Sequence, residues 1–172
     1  GDASTATYVY DPASDSWSQG GDMIAGVAAP GVTVSDGKIF SWGGCQDACG
    51  LADGQVYDPG TDTWSAVADY PEDTSWQACG EIGGSIYCAG GTAGDTTSTA
   101  TYAYDVAGDA WSQVADLPID LWGMGYTGAD GLLPQLGLQA SAQHSWTQAD
   151  VAGRSSSNSF NVLTGALVGS QP

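Results

Sequence analysis

The chain has 172 residues, and its 42% hydrophobic content, with 7 Trp and 8 Tyr, supplies a real core despite 26 Gly. Only 13% of residues are charged, 20 acids against the 2 bases Lys38 and Arg154, for a formal net charge of −18. That field repels phosphate backbones and anionic membrane surfaces, so no nucleic-acid partner is expected, while cationic and neutral ligands and divalent ions stay open. No stretch approaches the roughly 20 apolar residues of a membrane helix, so no membrane insertion is expected either.

Gly1-Asp2-Ala3 runs straight into patterned sequence without a cationic, apolar leader, as a cut inside a larger array would. The first element is Thr7-Tyr-Val-Tyr-Asp-Pro-Ala-Ser-Asp-Ser-Trp17, a strand ending in Tyr-Asp, a turn, and a strand starting at Trp. Val32-Thr-Val-Ser, Asp36-Gly37 and Lys38-Ile-Phe-Ser-Trp42 then predict a hairpin closed by the Asp-Gly pair that a type I′ turn prefers. A Gly43-Gly44 pair and the cysteine-bearing loop Cys45–Gly54 lead to Gly54-Gln-Val-Tyr-Asp-Pro-Gly-Thr-Asp-Thr-Trp64. The next hairpin centres on Gly83-Gly84, followed by Gly90-Gly91, the loop Gly91–Thr99 and Thr101-Tyr-Ala-Tyr-Asp-Val-Ala-Gly-Asp-Ala-Trp111. A last hairpin centres on Asp130-Gly131.

These segments repeat. Trp17, Trp64 and Trp111 stand 47 residues apart, as do Tyr10, Tyr57 and Tyr104, and Gly37, Gly84 and Gly131. Four short strands per repeat with no helical periodicity predict an all-β fold. Residues 134–172 break the register. Position 158, where a Trp is due, is Asn158, and the nearest candidate is Trp146 with no Tyr-Asp before it. This divergent tail carries His144 and Arg154 and has one candidate strand near Ser145–Val151.

A Gly-Gly pair ending one strand, Tyr-Asp-Pro before a turn, and Trp six residues after that Asp resemble the kelch repeat over residues 1–133. The resemblance implies four-stranded antiparallel β-propeller blades, about three to three and a half of them, an incomplete or oligomer-completed propeller. It divides the chain into the second half of a blade (1–22), two blades (23–69 and 70–116), the first hairpin of a further blade (117–133) and the divergent tail (134–172). It implies that Trp17, Trp64 and Trp111 pack between neighbouring blades, with Tyr10, Tyr57 and Tyr104 in the same layer. The sequence is also similar to kelch arrays of large secreted bacterial proteins, some attached to subtilisin-like proteases. Other kelch propellers are copper-radical oxidases whose copper takes two histidines. With His144 as the sole His, a solvated role outweighs a catalytic one, and neither catalytic residues, nor a metal, nor a cofactor is expected.

About Gly83-Gly84, Cys79 and Cys88 fall opposite each other on paired strands, at disulfide distance, while Cys45 and Cys49 fit a small loop staple. The rival reading is a four-cysteine zinc site. Disulfides would place the protein in a secreted, extracellular setting. The pairs Asp11/Asp15, Asp58/Asp62 and Asp105/Asp109 flank turns, where Asp bonds local backbone, calcium being the sharper alternative.

Departures from a repeat are where a site is expected. Trp76 and Trp122 precede the first strands of their blades, with Glu72, Asp73 and Asp120 nearby. They would form a stacking surface with an acidic rim for a protein or carbohydrate ligand, unless they are ordinary blade packing. The loops Cys45–Gly54 and Gly91–Thr99 are candidates for the same face. The expected function is thus an extracellular binding module, part of a larger secreted protein, rather than an enzyme, with the propeller completed by further copies or by the remainder of a parent propeller. The structural alternative is self-assembly, in which copies close a ring of seven or eight blades or stack into a filament. A fragment of a secreted enzyme is the third reading.

Overall fold

The computed structural model describes residues 3–123, 125–126 and 135–136, and every regular element among them is a β-strand. The divergent tail, with His144, Arg154, Trp146 and the strand expected near Ser145–Val151, lies outside the described residues apart from 135–136, as does the Asp130-Gly131 turn.

Strands β1 (Tyr8–Asp11) and β2 (Ser16–Gln19) form a two-stranded hairpin. Next, β3 (Gly31–Ser35), β4 (Lys38–Trp42), β5 (Gly54–Asp58) and β6 (Thr63–Val67) form a four-stranded antiparallel sheet in chain order. The second four-stranded sheet comprises β7 (Ala78–Ile82), β8 (Ser85–Ala89), β11 (Thr101–Asp105) and β12 (Ala110–Gln113), in that order. The short strands β9 (Thr92–Ala93) and β10 (Thr96–Thr97) form a loop hairpin between β8 and β11. Finally, β13 (Gly125–Tyr126) pairs with β14 (Gln135–Leu136).

Turn chemistry sets the registers. Asp36 and Gly37 both adopt positive φ, 48° and 73°, as a type I′ turn demands, and Ser35 pairs with Lys38 across it. The same geometry at Gly83-Gly84 aligns Cys79 with Cys88, and these form a disulfide, as do Cys45 and Cys49. With both pairs bonded, the four cysteines do not converge on a metal.

An aromatic layer joins the two large sheets. Trp42 is fully buried, its ring 4.9 Å from both Tyr104 and Trp111, and Tyr70 lies 5.0 Å from Trp111. Burying one large aromatic removes roughly 150–250 Å² from water, worth about 4–6 kcal/mol as an upper bound. Both indole N–H groups of Trp42 and Trp111 donate to the Ala68 carbonyl, at 3.0 and 3.3 Å, so neither buried donor is left unpaired. Main-chain bonds repeat the step between sheets: Gly44 N–H donates to Thr74 O and Gly91 N–H to Leu121 O, each at 2.8 Å. A Cβ on Gly91 would lie 2.4 Å from Thr74 Oγ1, so the Gly-Gly pair is there for close approach.

Aspartates of the repeat divide into two roles. Asp11, Asp58 and Asp105 accept local amides, from Ala13, Gly60 and Ala107, as turn residues do. Asp62 and Asp109 reach the preceding unit instead. Asp62 Oδ1 accepts Gly21 N–H at 2.6 Å and Tyr57 O–H at 2.7 Å. Asp109 Oδ1 accepts Ala68 N–H at 2.7 Å and Tyr104 O–H at 2.6 Å. The indole of Trp64 likewise donates backward, to Thr7 Oγ1 at 2.9 Å. Trp17 departs from its counterparts: it is 69% exposed and contacts Tyr10, at 5.2 Å, within its own hairpin.

Candidate functional site

Three residues one repeat apart, Ala29, Trp76 and Gly123, share a left-handed backbone, with φ of 54°, 62° and 61°. They form a ladder between successive units: Trp76 N–H donates to Ala29 O at 2.9 Å, and Gly123 N–H to Trp76 O at 3.0 Å. Glycine adopts this conformation freely, whereas a bulky residue there costs about 1–3 kcal/mol. Trp76 is the large member of the three, so the fold holds an aromatic where glycine would relieve the strain.

Trp122 is not the repeat counterpart of Trp76; that position is Gly123. The ladder bond to Gly123 brings the two tryptophans together, with ring centroids 6.4 Å apart and planes at 75°. Both are substantially exposed. They form two walls of a cavity of about 360 Å³, completed by Cys49, Thr92, Gly94, Asp95 and Thr97.

The remaining walls come from the two loops. The β9–β10 hairpin supplies Thr92, Gly94, Asp95 and Thr97, and is anchored by reciprocal main-chain bonds between Ser75 and Thr92, at 2.9 and 2.8 Å, plus Ser75 Oγ to Thr92 O at 3.0 Å. The Cys45–Cys49 bridge fixes the other loop, and Cys45 is tied to Ala28 by paired main-chain bonds of 2.8 and 2.9 Å.

The acidic residues expected beside the tryptophans separate. Asp120 accepts the hydroxyl of the wall residue Thr97 and so stands beside the cavity. Asp73 is exposed, with its Cβ near Gly50, and does not line the cavity. Glu72 is half-buried and engaged elsewhere, accepting Tyr102 O–H at 2.9 Å and Ser98 Oγ–H at 3.1 Å. Burial first, and then the bond to Glu72, push the Tyr102 hydroxyl up to about 12. Asp95 is the acid in the wall itself. It has no repeat signature, and only its place in the Gly91–Thr99 loop hinted at it.

No cation offsets this charge among the described residues. Their one base, Lys38, is paired with Asp58 at 3.0 Å, in the turn region of the first four-stranded sheet. The lowered carboxyl of Asp58 reflects that ion pair first, then the Gly60 amide.

Two four-stranded antiparallel sheets in succession, joined by main-chain bonds between the segments outside their strands and by a shared aromatic layer, define blades of an incomplete β-propeller. Residues 27–69 and 77–118 match the family model of the Kelch motif, and these two repeats support a kelch-repeat family for the chain. Such repeats are generally non-catalytic modules that mediate protein interactions. A comparison with curated proteins gave no match.

Proposed function

We propose that this chain is an extracellular, non-catalytic binding module of a larger secreted protein, taking a protein ligand through the Trp76–Trp122 cavity. The observation that carries this reading is Trp76 itself, a bulky residue kept at φ of 62° where the neighbouring repeats place Ala29 and Gly123. Among the non-glycine residues at positive φ, the others being Ala29 and four aspartates, Trp76 is the bulky one, and an aromatic kept in a strained conformation supports a site. Two ring faces at a steep angle, with Asp95 in the wall and Asp120 beside it, favour a ligand presenting a Lys or Arg side chain. The net charge of −18 adds attraction for such a partner. The two disulfides support an oxidising compartment.

Carbohydrate is the second reading, favoured by the stacking faces and the hydroxyls of Thr92 and Thr97 in the same walls. Screening against basic-peptide and glycan arrays, with Trp76→Ala, Trp122→Ala and a Trp17→Ala control, tests both. Each cavity substitution should weaken the ligand found by about tenfold or more, and the control should not. Affinity that falls steeply with salt identifies the cationic ligand; salt-insensitive binding identifies the sugar. If neither cavity substitution weakens any ligand, the cavity is not the site.

A further inference from the structure

The walls of the Trp76–Trp122 cavity spend most of their hydrogen-bonding groups on one another. Thr92 Oγ1–H stays within its own hairpin, where Gly94 O at 2.8 Å and Thr96 O at 2.9 Å accept it. Thr97 Oγ1–H goes to Asp120. Cys49 is bonded to Cys45 and has no S–H. The two threonines therefore offer a ligand lone pairs only, and the indole N–H groups lie in the planes of their rings rather than on the faces. A sugar hydroxyl asks for a donor as well as an acceptor, so beyond stacking these walls serve it poorly.

Positive charge is served better. Asp95 stands exposed in the wall with neither threonine hydroxyl spent on it, and Asp120 stands beside the cavity. Lys38, the one base among the described residues, is held by Asp58 and does not compete. The two ring planes stand at 75° with centroids 6.4 Å apart, which makes a corner where one cation comes within roughly 6 Å of both rings. The kind of cation follows from its hydrogens. A lysine ammonium carries three N–H donors and an arginine guanidinium five, and those turned towards the rings lose water without gaining an acceptor. A quaternary ammonium carries the same charge with no N–H at all. It gives up no hydrogen bond on entering, and its methyl groups bury apolar surface against both rings.

On the reading of this cavity as the binding site, we infer that the group it takes is a quaternary ammonium, carried by the protein ligand as an N-trimethylated lysine. A phosphocholine head group presents the same cation, but its phosphate follows closely, and Asp95, Asp120 and the net charge of −18 repel that phosphate.

The test is isothermal titration calorimetry of the chain with four short peptides alike except at one central residue. That residue is lysine, arginine, N-trimethyl-lysine, or the uncharged analogue with carbon in place of the quaternary nitrogen. The trimethylated peptide should bind about fivefold or more tighter than each of the others. Asp95→Asn should narrow its lead over the uncharged analogue, and choline should displace it at lower concentration than phosphocholine does. Lysine or arginine peptides that bind as tightly overturn the inference and leave the cavity a site for basic ligands. An uncharged analogue that binds as tightly overturns it in favour of an apolar pocket, and phosphocholine displacing better than choline overturns it in favour of a lipid head group. Binding of no peptide, or binding that neither Trp76→Ala nor Trp122→Ala weakens, overturns the inference and the reading of the cavity together.

Discussion

The clasp between blades yields a difference measurement with an internal control. Asp109 and Asp15 share a backbone angle, 48° and 49°, and each accepts a hydroxyl from the Tyr five residues earlier, at 2.6 and 2.7 Å. Substituting Ala at either position imposes the same left-handed strain and removes the same local bond. What differs is the surroundings. Tyr104 is 1% exposed, so its hydroxyl loses its acceptor inside the protein, at a cost of about 1–3 kcal/mol. Ala68 N–H, half-buried, loses its acceptor too, for about 1 kcal/mol. The Asp109 carboxylate is itself exposed, so the lower part of these ranges applies. Asp109→Ala should then destabilise by about 2 kcal/mol more than Asp15→Ala, whose Tyr10 is free to bond water. Urea unfolding followed by Trp fluorescence, at concentrations where the mass is that of a monomer, measures the gap. A difference below about 0.5 kcal/mol, the range of ordinary surface substitutions, refutes the clasp.

Acid supplies an independent check on the same group. The Tyr104 hydroxyl first, and the Ala68 amide second, hold the Asp109 carboxyl below its ordinary value. A carboxyl lowered in the folded state contributes stability that is full above the unfolded value, near 3.9, and is lost as pH falls through the folded one. The gap between the parent chain and Asp109→Ala should therefore stay constant from neutral pH to about 5 and narrow as pH falls below about 4, where the carboxyl protonates. Comparing two chains at each pH largely cancels the general relief of negative self-repulsion.

Two further outcomes follow from the site. Trp76→Gly should abolish ligand binding yet leave stability unchanged or raise it by about 1 kcal/mol, because glycine relaxes the φ of 62°; a loss above about 1 kcal/mol in urea unfolding would show that the ring is packing rather than site. Mild reductant should open Cys45–Cys49 before Cys79–Cys88, since Cys49 is exposed whereas Cys79 and Cys88 are 1% and 0% exposed. Alkylation with mass spectrometry reads that order, and ligand affinity should fall at the first step, when the Cys49 wall loosens, before the fold is lost.

Much of the fold was legible because local chemistry and repeat period agree. Asp36-Gly37 and Gly83-Gly84 fix two-residue turns, the turns fix register, and register places Cys79 against Cys88. Those are short-range consequences of backbone conformation, which a sequence carries in full. The aspartates were half legible: Asp58 and Asp105 serve their own turns, but Asp62 and Asp109 bond a neighbouring unit, and both kinds follow the same 47-residue spacing. A period says which residues are equivalent, and not what each of them meets: the Trp64 indole donates to Thr7 Oγ1, and the Trp111 indole one repeat later to the Ala68 carbonyl. The cavity shows the same limit from the other side. Trp76 and Trp122 are visible as departures from the pattern, but their meeting depends on a bond between Trp76 O and Gly123 N–H in the next unit, and proximity in sequence could not separate Asp120, beside Thr97, from Glu72, held by Tyr102. What crosses from one blade to the next is thus decided by geometry, and that geometry is where the candidate binding cavity resides.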